Sequence, residues 1–227
     1  MPDEGRTRTA RLTEPDGYGL VLVLLVTVFF VMALGQDERW LRPVITALLV
    51  LTLHFGLHTA RAGRPAQIVG WVLGAVAMVV VLVQTISGEG EGRAASYIAM
   101  GLLPVMSPYF ILKRILGHDR VTVQTLLGAV CVYVILGLTF AFVYGALVAI
   151  EGPDSIIGGP QNAETMLYFS FVTMTTVGYG DVTAATDLIR TVAILEALVG
   201  QVFLVTLVAR LVSLFGQPMR HLPPEDG

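Results

Sequence analysis

The chain has 227 residues, 55% of them hydrophobic and 14% charged, with a net charge of −3 and a mean hydropathy of +0.75. That is too little charge for a soluble domain of this length, and no basic excess offers itself to a nucleic acid. The composition fits an integral membrane protein.

In chain order, residues 1–17 are polar, carry Arg6, Arg8 and Arg11, and read as a short cytoplasmic tail with no signal peptide. Apolar runs of spanning length follow at Tyr18–Gly35, Leu41–Ala60, Ile68–Ser87 and Ala94–Leu116. A long fifth covers Val121–Ile150, and a sixth covers Asp187–Phe215. About 20 apolar residues cross a bilayer, so six crossings are predicted. Ala163–Met174 is apolar but too short to span, and reads as a re-entrant helix between the fifth and sixth crossings. The expected fold is all-α. Residues 18–116 form a four-helix peripheral unit and 117–216 a pore unit, with 217–227 a second short tail. Residues 87–92 are a flexible loop, Lys113–Arg120 is a basic linker, and Cys131, the single cysteine, sits in an apolar run as a small buried hydrophobe.

The basic residues set the orientation. With the N-terminus inside, Arg6, Arg8, Arg11, Arg61, Arg64, Lys113, Arg114, Arg120, Arg210 and Arg220 lie inside. Arg39, Arg42, Arg93 and Arg190 lie outside. Ten against four favours a cell-membrane protein with both termini in the cytoplasm, and the loop before the sixth crossing then opens outward.

That loop carries Thr173-Met174-Thr175-Thr176-Val177-Gly178-Tyr179-Gly180-Asp181. Glycine on alternate positions lets the backbone take φ > 0 without steric cost. Successive carbonyls can then face one side, which is what a dehydrated cation needs in place of its water shell, and the Thr176 hydroxyl can join the line. The run closely resembles the selectivity filter of tetrameric potassium channels, in which four Thr-Val-Gly-Tyr-Gly loops form the pore. The resemblance extends over about Val121–Phe215. It implies a homotetramer that conducts K⁺ passively among membrane lipids, and neither an enzyme nor a cofactor-dependent protein. K⁺ would sit at Thr176, Val177, Gly178 and Tyr179, with Gly180 closing the strip.

Asn162 can cap the short helix, with Glu164 in its first turn, so its negative C-terminal end falls beside the filter. Tyr168 and Phe169 occupy the family's paired-aromatic positions. Tyr168 could donate to Asp181, or the pair could pack against a neighbouring subunit. Thr175 joins them as filter support. Val172 stands where some bacterial relatives carry a glutamate, so filter behaviour that depends on that carboxylate is in doubt. Gly200 lies 19 positions after Asp181, the family's hinge spacing; the alternative is close helix packing. In the same register Gln201 faces the cavity below the filter, or bonds between helices. Leu204, Val208 and Val212 continue its stripe toward an inner gate. Glu196, inside a span, is a support residue expected beside the short helix and not in the pore, either protonated or hydrogen-bonded to threonine hydroxyls there. The fourth span has no arginine ladder, only Lys113 and Arg114 at one end, and Pro104 and Pro108 are expected to break its regularity. Strong voltage gating is therefore not expected. His54 and His58, one turn apart, suit a metal or haem, but interfacial packing accounts for them without either. A weakly selective cation channel and a non-conducting membrane sensor or scaffold are the alternative functions. The gating stimulus has no marker in the chain.

Overall fold

The computed structural model describes residues 17–34, 40–87, 92–116 and 122–215. The predicted tails, the glycine-rich loop over 88–91 and the end of the basic linker lie outside them. The described chain is helical throughout its spans: α1 (Tyr18–Leu34), α2 (Leu41–Thr59), α3 (Arg64–Ser87), α4 (Arg93–Leu116), α5 (Val123–Glu151), α6 (Ala163–Met174) and α7 (Asp187–Phe215). Between α5 and α6 come a 3₁₀ turn at Pro153–Ser155 and a strand β1 (Ile156–Ile157). Strand β1 pairs antiparallel with β2 (Thr183–Ala184), Ile156 opposite Ala184 and Ile157 opposite Thr183.

Five helices, α2 to α5 and α7, are long and apolar enough to cross a membrane; α1, with 17 residues, falls just short. The six predicted crossings are thus five by length, with α1 at the lower edge of what a bilayer needs. The expected break in the fourth span does not occur: α4 is one helix with Pro104 and Pro108 inside it. Neighbouring helices can satisfy the carbonyls that a proline frees, so such helices persist in membrane proteins. Threonines inside the apolar helices are accommodated locally. Thr46, Thr52, Thr85 and Thr139 each donate to the carbonyl four residues back at 2.8 Å.

Capping chemistry starts α5 and α6. Thr122 and Thr125 form a reciprocal capping box at α5, and Asn162 Oδ1 accepts from Thr165 N at 2.9 Å at α6. Helices α1 and α4 pack on α5, and α1 also reaches α6, whereas α2 and α3 pack chiefly on one another and on α4, with α2 also on α1. Along the α4–α5 seam, Ile115 lies over Gly128 and the Tyr97 ring over Gly145; a Cβ at either glycine would come within 2.8 Å and 2.6 Å of those side chains. Helix α1 reaches α6 through an edge-to-face pair, Phe29 on Phe171, with ring centres 5.4 Å apart. Cys131 is buried on α5, with its Sγ 3.6 Å from the Tyr18 carbonyl.

Candidate functional site

Helix α6 runs without interruption into Thr175–Asp181. The first amides after the helix bond backward: Thr175 N to Phe171 O, Thr176 N to Thr173 O, and Val177 N and Gly178 N to Val172 O at 3.0 and 3.4 Å. The backbone then alternates. Thr176 has φ 59°, Gly178 54° and Gly180 80°. Positive φ at every second residue turns successive carbonyls the same way. Two positions carry glycine, where this geometry is free; Thr176 adopts it at a steric cost. Among the described residues, no donor reaches the carbonyls of Thr176 to Gly180. Residues Thr175 to Asp181 are all exposed within one chain, and Tyr179 is 73% exposed.

One flank of the strip is held by Tyr168. Its hydroxyl donates to Asp181 Oδ2 at 2.7 Å, and its ring stacks parallel to Tyr179 at 6.5 Å. The bond holds the Asp181 carboxyl below its ordinary pKa. Asp181 Oδ1 also accepts from Val182 N at 3.0 Å. Phe169, the other predicted aromatic, makes its ring contact on α5 and also borders the hollow lined by Gly178 and Gly180. It is buried against α5, edge-to-face on Tyr144 at 4.9 Å. The two aromatics therefore do different things, and Phe169 is covered without a neighbouring subunit. The β1–β2 pair fastens the far end of the loop, and Gly158 lies so close that a Cβ there would run into the Asp181 carbonyl.

Glu196 sits beside α6 and is fully buried. Its partners are Tyr144 Oη at 2.6 Å, on α5, and Ser170 Oγ at 2.5 Å, on α6, rather than threonines. Ser170 Oγ is also 2.8 Å from the Gly137 carbonyl. One carboxyl group thus joins α5, α6 and α7 through two hydroxyls, and Ser170 has one hydrogen for two acceptors. Tyr133 adds a second tie from α5, its hydroxyl 3.4 Å from the last α6 carbonyl, Met174 O. Tyr144, Ser170, Tyr133 and the positive φ of Thr176 were not singled out from sequence. Isolated hydroxyls in apolar helices are the signal that could have found the first three.

Gly200 meets the end of α6 directly. A Cβ there would stand 2.6 Å from Met174 Cγ and 2.9 Å from Met174 O, so the glycine serves close helix approach. Beyond it, Gln201, Val208 and Val212 are exposed, whereas Leu204 is half-buried and its neighbour Val205 is exposed. The uncovered stripe of α7 therefore shifts by one residue at that turn.

Residues 129–217 match the family model described as Ion channel. The match spans less than half of the chain but takes in the strip, its flanks and the whole of α7. It supports ion-channel function in a membrane protein, and transport rather than an enzymatic role. No curated protein and no solved structure matches the chain.

His54 and His58 stay apart from all of this. Their rings stack at 6.4 Å on α2, and His54 packs on Trp71 of α3 at 4.7 Å. Among the described residues no three histidine, cysteine, aspartate or glutamate side chains gather to hold a metal.

Proposed function

We propose that this chain is a potassium-selective channel in which four copies surround one pore. The observation that carries the reading is the strip Thr176–Gly180: Thr-Val-Gly-Tyr-Gly with positive φ at every second residue and carbonyls left without donors, directly after a helix C-terminus. Carbonyls in that state can replace the hydration shell of a dehydrated cation, and the family match places ion-channel sequence across them. One chain supplies one strand of carbonyls, and a cation needs them on all sides. The exposure of Val177 and Tyr179 suits a strip completed by further copies. The ion sites are Thr176, Val177, Gly178 and Tyr179, with Gly180 closing the strip. Tyr168, Phe169, Thr175, Asp181 and Glu196 support it. Helix α6 enters the membrane and returns through the strip. Its C-terminal carbonyls give the approaching cation a partial negative charge. Gly200 and Gln201 border the cavity, and Leu204, Val208 and Val212 lead to the gate. The six apolar helices cross the membrane, with both termini in the cytoplasm.

Gating is not strongly dependent on voltage. Each charge crossing the field contributes about 2.3 kcal/mol per 100 mV, and α4 carries basic residues only at its two ends, Arg93 at its first position and Lys113 and Arg114 in its last turn. A planar-bilayer recording of the purified chain under opposed K⁺ and Na⁺ gradients tests both parts. The expected result is a reversal potential near that of K⁺, with a shallow conductance–voltage curve. A reversal midway between the two ions would replace the reading with a weakly selective cation channel, and absence of current with a non-conducting scaffold.

A further inference from the structure

Three helices meet at one carboxyl group. Glu196 of α7 is fully buried, with Tyr144 Oη of α5 at 2.6 Å from its Oε2 and Ser170 Oγ of α6 at 2.5 Å from its Oε1. Ser170 Oγ stands at the same time 2.8 Å from the Gly137 carbonyl of α5. Both distances at Ser170 are those of full O–H···O bonds. Its hydroxyl has one hydrogen, which cannot lie along two such bonds at once.

Counting hydrogens resolves the site. With Glu196 as a carboxylate, Tyr144 and Ser170 supply two hydrogens for three contacts. Short bonds to Tyr144 and Ser170 would suit a carboxylate, but Gly137 O would then face Ser170 Oγ at bonding distance with no hydrogen between them, which is repulsive. A neutral carboxylic acid supplies the third hydrogen. Glu196 Oε1 donates to Ser170 Oγ, Ser170 donates to Gly137 O, and Tyr144 donates to Glu196 Oε2. Charge balance points the same way. Among the described residues no basic side chain makes an ion pair with Glu196, and the titratable groups that reach it are Tyr144 and Tyr133, both of α5. It lies inside the apolar stretch of α7, and its burial within one chain keeps the side chains of another copy from touching it. A buried carboxylate with no cation beside it is costly.

The place of this tie gives it a use. Ser170 lies near the end of α6, two residues before Val172, whose carbonyl accepts from Val177 N and Gly178 N of the strip. Whatever fixes Ser170 therefore fixes the acceptor on which the strip begins. We propose that Glu196 is a neutral acid at neutral pH and a positioning residue of the strip. Its own hydrogen closes a relay from α7 through Ser170 of α6 to Gly137 of α5, and the relay sets where α6 delivers Val172 O. The neutral acid follows from the geometry of one chain. The positioning role rests on the potassium-channel reading.

Infrared spectroscopy of the purified full chain at neutral pH reads the proton without any current being measured. Wild type minus Glu196→Gln should show the C=O stretch of a protonated carboxyl group. Tyr144→Phe removes the donor to that C=O and should move the band to higher frequency. Carboxylate bands in its place, or a band that Tyr144→Phe leaves unmoved, would overturn the neutral acid. Ion flux in liposomes tests the positioning role. Glu196→Gln, whose amide can donate to Ser170 and accept from Tyr144, should keep the K⁺-over-Na⁺ preference of the wild type. Glu196→Leu has no hydrogen to give and should lose most of it. Ser170→Ala cuts the relay from the α6 side, should lose it as well, and serves where Glu196→Leu does not fold. Wild-type preference in Glu196→Leu or Ser170→Ala, or its loss in Glu196→Gln, would overturn the positioning role. A wild-type chain with no K⁺ preference would overturn the channel reading and the positioning role with it, and would leave the infrared assignment standing.

Discussion

Helices α5 and α7 are a matched pair with opposite fates. Both have 29 residues and both are apolar enough to span. Half of the most apolar stretch of α5 is buried inside the chain, against 11% of that of α7. Helix α5 is enclosed by α1, α4 and α6, and even Tyr144 and Cys131 on it are fully buried. Helix α7 touches the rest of its chain mainly where Ile189, Glu196 and Gly200 meet the pore unit, and leaves valine and leucine bare along the remainder. Apolar composition therefore says that a helix avoids water, and not what it packs against. A helix as bare as α7 has its surface to give to other copies, to lipid and to the pore, which is what the proposed channel asks of it.

The largest expected effect lies at the proposed filter strip, which follows α6 and leads toward α7. Gly178→Ala or Gly180→Ala should abolish potassium-selective flux in liposomes. No atom would block the new Cβ at either position, so the damage comes from the positive φ alone. Normal selectivity in either variant would remove the strip from the pore. Next in size is a test of which side of α7 faces the pore. With Cys131 replaced, cysteine at Gln201 or Val208 should be modified by a cytoplasmic thiol reagent and block the open channel, while cysteine at the buried Ile135 of α5 should stay inert. Inert Gln201 beside reactive Val202 would rotate the helix and break the assigned stripe.

Two predictions concern the few contacts that α7 does make. Gly200→Ala should destabilise the assembly by about 1–3 kcal/mol in thermal melts, because the Met174 backbone cannot yield as a side chain can. Tyr144→Phe or Ser170→Ala should each cost about 1–3 kcal/mol by leaving the buried Glu196 short of a partner. Glu196→Gln should be milder than either, since its amide supplies the second hydrogen that Ser170 and Gly137 O lack. Equal melting temperatures for Tyr144→Phe and wild type would show that the tie carries no stability.

The smallest effect is at the exposed Asp181. Its folded pKa is lowered, first by the Tyr168 bond, so the bond's contribution is present above the ordinary carboxylate pKa. It is lost as pH falls through the lower folded value. Current should therefore be flat in external pH from neutral down to the ordinary carboxylate range. Tyr168→Phe should move the acid limb upward toward that range. An acid limb unmoved by this variant would detach Asp181 from the response.

Much of this was legible in the chain because it depends on neighbours in sequence. Apolar run lengths placed α2, α5, α6 and α7 within a few residues, and Asn162 before an apolar segment announced the α6 cap. The alternate glycines announced positive φ at Gly178 and Gly180. The prolines of α4 misled, since propensity weighs a proline by its own helix and not by the helices packed around it.

What the sequence by itself determined is the apolar, membrane-type composition, the helix bounds and the strip with positive φ at its glycines, all of which follow from local composition and local backbone sterics. Only the tertiary structure decided that Phe169 packs on Tyr144 while Tyr168 holds the strip, that Glu196 pairs with Tyr144 and Ser170, and that Gly200 admits Met174. Each of those contacts joins residues far apart in the chain. Its partner is selected by which helix faces come together, and in a chain where nearly every face is apolar, hydrophobic patterning cannot choose among them.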